Sequence, residues 1–103
     1  MHRCDRCLSD VDFIIENALK DGNAKVIDCR EVYEYEEGHI PGSINMPTSD
    51  FLSHIDLIKK EEHYYVICLT GARSSMVAKY LDNQGYQVSN VNGGMIMYHG
   101  EVE

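Results

Sequence analysis

The chain has 103 residues, enough for one domain whose hydrophobic core needs no disulfide staples and too few for a second domain. Nine Lys and Arg against seventeen Asp and Glu leave a net charge of −8, the wrong sign for a nucleic-acid or anionic-membrane surface. No apolar run approaches the ~18 residues of a membrane span, and Met1 to Cys7 lacks a signal peptide's apolar stretch, so a cytoplasmic protein with reduced thiols is expected.

Val11, Ile14, Ile15, Ala18 and Leu19 recur at helical spacing, with Ser9 placed as N-cap and Gly22 just past the end, which predicts a first helix. Lys25 to Cys29 is a short apolar run bounded by polar residues, suited to a buried parallel strand. Arg30 to Gly38 is acidic and reads as irregular or as one short helical turn, and Pro41 and Gly42 then impose a turn. Ile44 and Met46 alternate around Asn45 as a brief strand, followed by a second helical stripe of Phe51, Leu52, Ile55 and Ile58. Strand character returns from Tyr65 to Cys68. Ser74 to Gln84 predicts a helix with Met76, Val77, Tyr80 and Leu81 on one face and Gly85 just beyond its end. Val88 to Val91 is the last strand candidate. Strands alternating with helices define an α/β fold, a central parallel β-sheet flanked by helices on both faces, with reactive groups expected at the carboxyl ends of strands.

Cys68 stands at such an end. It closes the run Tyr64-Tyr65-Val66-Ile67 and opens Leu69-Thr70-Gly71-Ala72-Arg73-Ser74, directly before a helix. A loop in that place can turn backbone N–H groups inward, where they stabilise a thiolate or a bound anion. A free thiol titrates near pH ~8.5 and falls by one to several units in such a setting. The plain alternative is a buried strand-end cysteine, since cysteine is a common core residue. Arg73 is the only cation inside the loop and is expected either to dock an anionic donor or to pair with Asp28 or Glu34 and hold the loop closed. Arg30, at the end of its own strand, is expected near the same pocket, as a binding residue or as a purely structural bridge.

Three blocks besides the Cys68 loop carry a resemblance. Val26-Ile27-Asp28-Cys29-Arg30, with Glu34 and Tyr35 downstream, resembles a strand ending in Asp-x-Arg. Gly38-His39-Ile40-Pro41-Gly42-Ser43-Ile44-Asn45-Met46-Pro47 is close to a Gly-His-Ile-Pro-Gly-Ala-x-Asn-x-Pro signature, and Val91-Asn92-Gly93-Gly94-Met95 resembles a closing Val-x-Gly-Gly element. In this order they resemble the single-domain rhodanese family from about Lys25 to the end. The resemblance implies a rhodanese-like fold over residues 1–103, with residues 1–8 an atypical cysteine-containing segment. It also implies a sulfurtransferase with Cys68 as nucleophile, carrying sulfane sulfur as a persulfide. Leu69, Thr70, Gly71, Ala72, Arg73, Ser74 and Arg30 are the implied substrate-binding residues. Donor and acceptor would be thiosulfate, persulfides, cyanide or thiols, or a protein persulfide, and neither cofactor nor metal is implied.

Cys68 and Arg73 are separated by four residues, whereas protein tyrosine phosphatases and the related cell-cycle phosphatases use C-x5-R. The shorter count argues against phosphatase or arsenate reductase activity. A noncatalytic docking module would usually have lost the cysteine. Leu69 and Thr70 stand where thiosulfate-specialised members tend to have a basic residue, so a persulfide donor is as well suited as thiosulfate. The proline and glycine of Gly38–Pro47 and Asn92–Met95 are explained by turn geometry, and His39 as a hydrogen-bonded structural residue. Cys29 replaces a residue that is commonly valine, and burial is its expected fate. The lone pair Cys4 and Cys7 lacks the second pair that an intrachain zinc site would need. It reads as surface or packing thiols, with pooling in a dimer or resolution of a Cys68 persulfide as alternatives. The edge strand that usually begins the family is not evident there.

Overall fold

The computed structural model describes residues 7–8, 10–21 and 24–103, so Cys4, Ser9 and Gly22 lie outside the described residues. The strands are β1 (Cys7–Leu8), β2 (Ala24–Asp28), β3 (Ile44–Asn45), β4 (His63–Ile67) and β5 (Gln87–Val91). They form one sheet in the order β1-β5-β4-β2-β3, and every neighbouring pair is parallel. The helices are α1 (Val11–Lys20), α2 (Val32–Glu36) and α3 (Ala72–Asn83), with 3₁₀ segments at Thr48–Leu57 and Gly94–Met97. Among the described residues no helix is long and apolar enough to cross a membrane.

The central strands are buried on both faces, so alternate residues feed two cores. Val26, Ile67 and Val91 point to one face, where α1 supplies Val11, Ile15 and Ala18. Ile27, Cys29, Tyr64, Val66, Cys68 and Val88 point to the other, where α3 supplies Val77, Ala78 and Leu81. Asp10 Oδ1 accepts a hydrogen bond from the Phe13 amide and caps α1, whose Asp12 and Lys20 complement the helix dipole.

Three expectations are corrected and one alternative is decided. A strand does precede α1: Cys7 and Leu8 pair with Asn90 and Val91 as the sheet edge. The acidic stretch after β2 takes the short helical turn rather than the irregular form, as α2, opened by a capping box in which Glu31 and Glu34 serve each other's backbone amides. The stripe from Phe51 to Ile58 lies largely on a 3₁₀ segment broken at Asp50, whose φ of −151° is not helical, and Leu52 faces solvent. On α3 the buried face is Ser74, Val77, Ala78 and Leu81, while Met76 is 71% exposed. Tyr80 sits at its margin, edge-on to Phe51 with ring centroids 5.5 Å apart.

This assignment of faces is testable by urea denaturation. Leu81→Ala should cost about 2–5 kcal/mol, as expected for an emptied core site. Met76→Ala should stay within about 0.5 kcal/mol of the parent protein, as an exposed helix position does.

Candidate active site

β4 ends at Ile67 and α3 begins at Ala72, so Cys68 to Gly71 must turn the chain within four residues. The turn is set from behind. Carbonyl oxygens of Cys68, Leu69 and Thr70 accept hydrogen bonds from the amides of Met95 (2.8 Å), Ile96 (2.9 Å) and Gly93 (3.1 Å). With those carbonyls drawn outward, amides on the opposite side of the loop face the sulfur. Gly71 N–H reaches Cys68 Sγ at 3.1 Å and Ser74 N–H at 3.3 Å.

Two glycines make this approach possible. Gly71 occupies the N-cap of α3 with a φ of +104°, and a Cβ there would sit 3.0 Å from the Gly93 amide nitrogen. Gly94 has a φ of +61°, and a Cβ would lie 2.4 Å from the Cys68 carbonyl oxygen. The Gly93-Gly94 element is thus the back wall of the loop. In the sequence this element reads as turn geometry alone.

The sulfur also completes α3. Gly71 has no side chain with which to cap the helix, and Cys68 Sγ takes the Ser74 amide, the N3 position that an N-cap side chain would normally serve. Ser74 itself is fully buried, and its hydroxyl stands beside the sulfur with no other partner. Cys68 is held as a thiolate, its pKa lowered to about 4. The largest cause is a hydrogen bond from the Cys29 thiol, joined by the Ser74 hydroxyl and the Ser74 and Gly71 amides, all acting against burial. Cys29 moves the other way, its pKa raised because it donates to Cys68 and is buried. The charge of this pair belongs on Cys68, because the loop amides point there.

Arg73 forms a two-pronged ion pair with Glu34, Nη1 to Oε1 at 2.8 Å and Nη2 to Oε2 at 3.2 Å. The contact ties the first turn of α3 to α2 and holds the Glu34 carboxyl below the usual carboxylate range. Of the two carboxylates the sequence offers to Arg73, Asp28 is already taken. Arg30 grips it through Nε and Nη2, with Nη2 to Oδ2 at 2.8 Å, and Nη2 also donates to the Gly38 carbonyl. Arg30 and Asp28 are both buried, and the pair ties the end of β2 to the Gly38 carbonyl.

The Gly38–Pro47 block braces the same strand end. Asn45 Nδ2 donates to the carbonyls of Asp28 and Arg30, the Met46 amide to Asp28, and Thr48 Oγ1 to Cys29 at 2.8 Å. His39 stacks on Tyr35, with ring centroids 3.7 Å apart, and its Nδ1 meets the Tyr35 carbonyl oxygen at 2.8 Å. Leu69, Thr70 and Ala72 are exposed around a cysteine with no accessible surface of its own.

A parallel α/β sheet that presents a thiolate in an amide-lined loop at a strand's carboxyl end is the architecture of the rhodanese-like proteins. The rhodanese-like domain profile matches residues 14–100, and the chain belongs to that family. YtwF of Bacillus subtilis, named as a candidate sulfurtransferase, is 39% identical over 88 residues that span 85% of each chain. A tRNA uridine(34) hydroxylase of Hamiltonella defensa is 33% identical over 82% of this chain, which spans only 26% of that larger protein. Among solved structures, a rhodanese-like domain protein from Staphylococcus aureus superposes with a TM-score of 0.83 at 28% identity, covering 95% of this chain and 96% of its own.

Two measurements check the site. Ultraviolet thiolate absorbance, taken as the difference between the parent protein and Cys68→Ser, should persist through neutral pH and disappear only as the pH falls through about 4. In Cys29→Val the midpoint should move upward, because the strongest donor to the thiolate is gone. Gly94→Ala should collapse the loop's back wall, raising the Cys68 pKa and abolishing any chemistry that depends on the thiolate.

Proposed function

We propose that this protein is a sulfurtransferase in which Cys68 carries sulfane sulfur as a persulfide. The observation that supports the reading best is the Cys68 sulfur seated against the Gly71 and Ser74 amides, at 3.1 and 3.3 Å, at the amino end of α3. The thiolate attacks the outer sulfur of a donor, and sulfite or a thiolate leaves. An acceptor thiolate or cyanide then attacks the outer sulfur of the Cys68 persulfide, and Cys68 departs as the stabilised anion that it was before. A low pKa helps this second step, since a less basic thiolate leaves faster. The remaining amides from Leu69 to Arg73, with the Ser74 hydroxyl, are the groups we assign to the outer sulfur's charge.

The loop is one residue shorter than C-x5-R and covers its cysteine completely, which suits a single sulfur atom as cargo better than a tetrahedral oxyanion. The donor preference follows from charge. Arg73 is occupied by Glu34, Leu69 and Thr70 bring no cation, and the chain carries −8 overall, so the thiosulfate dianion meets little attraction. A low-molecular-weight or protein persulfide is the favoured donor. Arg73 acts by holding the loop closed rather than by docking the donor, and Arg30 acts through Asp28.

Sulfur release to cyanide should fall to background in Cys68→Ser with either donor, and activity surviving that substitution would sink the mechanism. In the parent protein kcat/KM should be at least about tenfold higher for glutathione persulfide than for thiosulfate, a difference of about 1.4 kcal/mol. Failure to accept sulfur from any donor would instead support a noncatalytic module.

A further inference from the structure

Cys29 is a nucleophile for which the transfer cycle has no use beyond a hydrogen bond. It follows Asp28, whose register partner on β4 is Ile67, so Cys29 and Cys68 are the next lateral neighbours. The Cys29 amide donates to the Ile67 carbonyl at 2.8 Å, which carries the ladder one step past the strand end. Both side chains point to the α3 face, where they pack in one cluster with Ile27, Val66 and Val77. Neighbouring strands lie about 4.8 Å apart, within the Cα separation that a disulfide spans. Both thiols are free, and Cys29 is fully buried, so outside thiols are screened from it while Cys68 is beside it.

Resting on the sulfur-carrying reading, we infer that Cys29 is a resolving thiol that discharges an unclaimed Cys68 persulfide as hydrosulfide and closes a Cys29–Cys68 disulfide. The Cys29 sulfur attacks the inner, Cys68 sulfur. The bond between that atom and the outer sulfur breaks, its electron pair leaves with the outer sulfur, and the Cys29 proton goes with it. A persulfide anion plus a thiol thus becomes a disulfide plus one hydrosulfide ion, with charge conserved. The sulfane sulfur is the oxidant, reduced to sulfide at the expense of the two cysteines, so nothing else is consumed. A dithiol reductant returns the pair to its resting state by ordinary exchange.

The geometry favours attack at the inner sulfur. Cys29 comes from the neighbouring strand, level with Cys68 and on the same face of the sheet, whereas the Gly71 and Ser74 amides approach the sulfur from the loop side, where the outer sulfur would lie. A persulfide that meets an acceptor promptly passes its sulfur on. One that waits is released as sulfide, and the protein rests as a disulfide.

The test loads the full-length reduced protein with one equivalent of glutathione persulfide and follows intact mass, released sulfide and mapped peptides. Cys29→Ser keeps a donor beside Cys68 but cannot form the bond, and Cys29→Ala serves if the serine is poorly folded. In the parent protein the adduct of about 32 Da should give way to a species about 2 Da lighter than the reduced chain. About one equivalent of sulfide should accompany it, with Cys29 and Cys68 joined in one peptide pair, and dithiothreitol should reverse it. The serine variant should hold its adduct at least about tenfold longer. An adduct equally long-lived in both proteins, or a disulfide mapped to Cys4 or Cys7, overturns the resolving role and leaves sulfur carriage standing. If neither protein takes up sulfur nor releases sulfide, both readings fall.

Discussion

Three backbone hydrogen bonds, from Gly93, Met95 and Ile96 to the carbonyls of Thr70, Cys68 and Leu69, decide what the Cys68 loop can be. A peptide unit has two polar ends, and pinning the oxygen of one fixes where the nitrogen of the next can point. The loop's chemistry is therefore set by a segment that need not touch a substrate. The approach is so close that Gly94 tolerates no Cβ, which makes a missing side chain as necessary as any present one. An anion site built this way is rigid, because its dipoles belong to the main chain and are held from both sides.

The β2 end is fixed by a different means. Asp28, Arg30, Asn45 and Thr48 form a buried polar network that satisfies the carbonyls of Asp28, Cys29 and Arg30. Buried ion pairs of this kind add little net stability compared with apolar packing, but breaking one is costly, about 3–5 kcal/mol. Its service here is positional. It holds Cys29 at the level of Cys68, so that the donor to the thiolate comes from a strand rather than from a mobile loop. Arg73 and Glu34 do the same for the first turn of α3, so one arginine clamps the end of β2 and the other the start of α3.

Much of this was legible in the sequence, and the rest has identifiable physical reasons for being hidden. The Cys68 loop is readable because an apolar run, a glycine and a helix pattern follow one another within a few residues. The role of Gly93-Gly94 is not, since it consists of main-chain contacts between segments distant in sequence, and the sequence records only that Cβ atoms are missing. The buried face of α3 is misread because small residues, Ser74 and Ala78, occupy it, while hydrophobic periodicity weighs the larger Met76 and Tyr80. A two-residue edge strand such as Cys7–Leu8 carries no periodicity. Burial of Cys29 is readable from its place in an apolar strand, but its neighbour depends on strand register, which composition does not encode. Likewise nothing in the sequence assigns Asp28 to Arg30 and Glu34 to Arg73 rather than the reverse.

That Cys68 Sγ serves as the missing cap of α3 has a consequence for the molecule's mechanics. A cap of this kind is worth about 1 kcal/mol to a helix, and here its strength follows the charge on a single atom. A thiolate holds the first turn tightly, whereas a protonated or disulfide-bonded sulfur offers a poorer acceptor and lets it loosen. The reactive atom is then also a tensioner for the frame around it. Through Arg73 and Glu34, the slack and strain of that first turn extend to α2, so the chemical state of one sulfur is written into the stiffness of two helices.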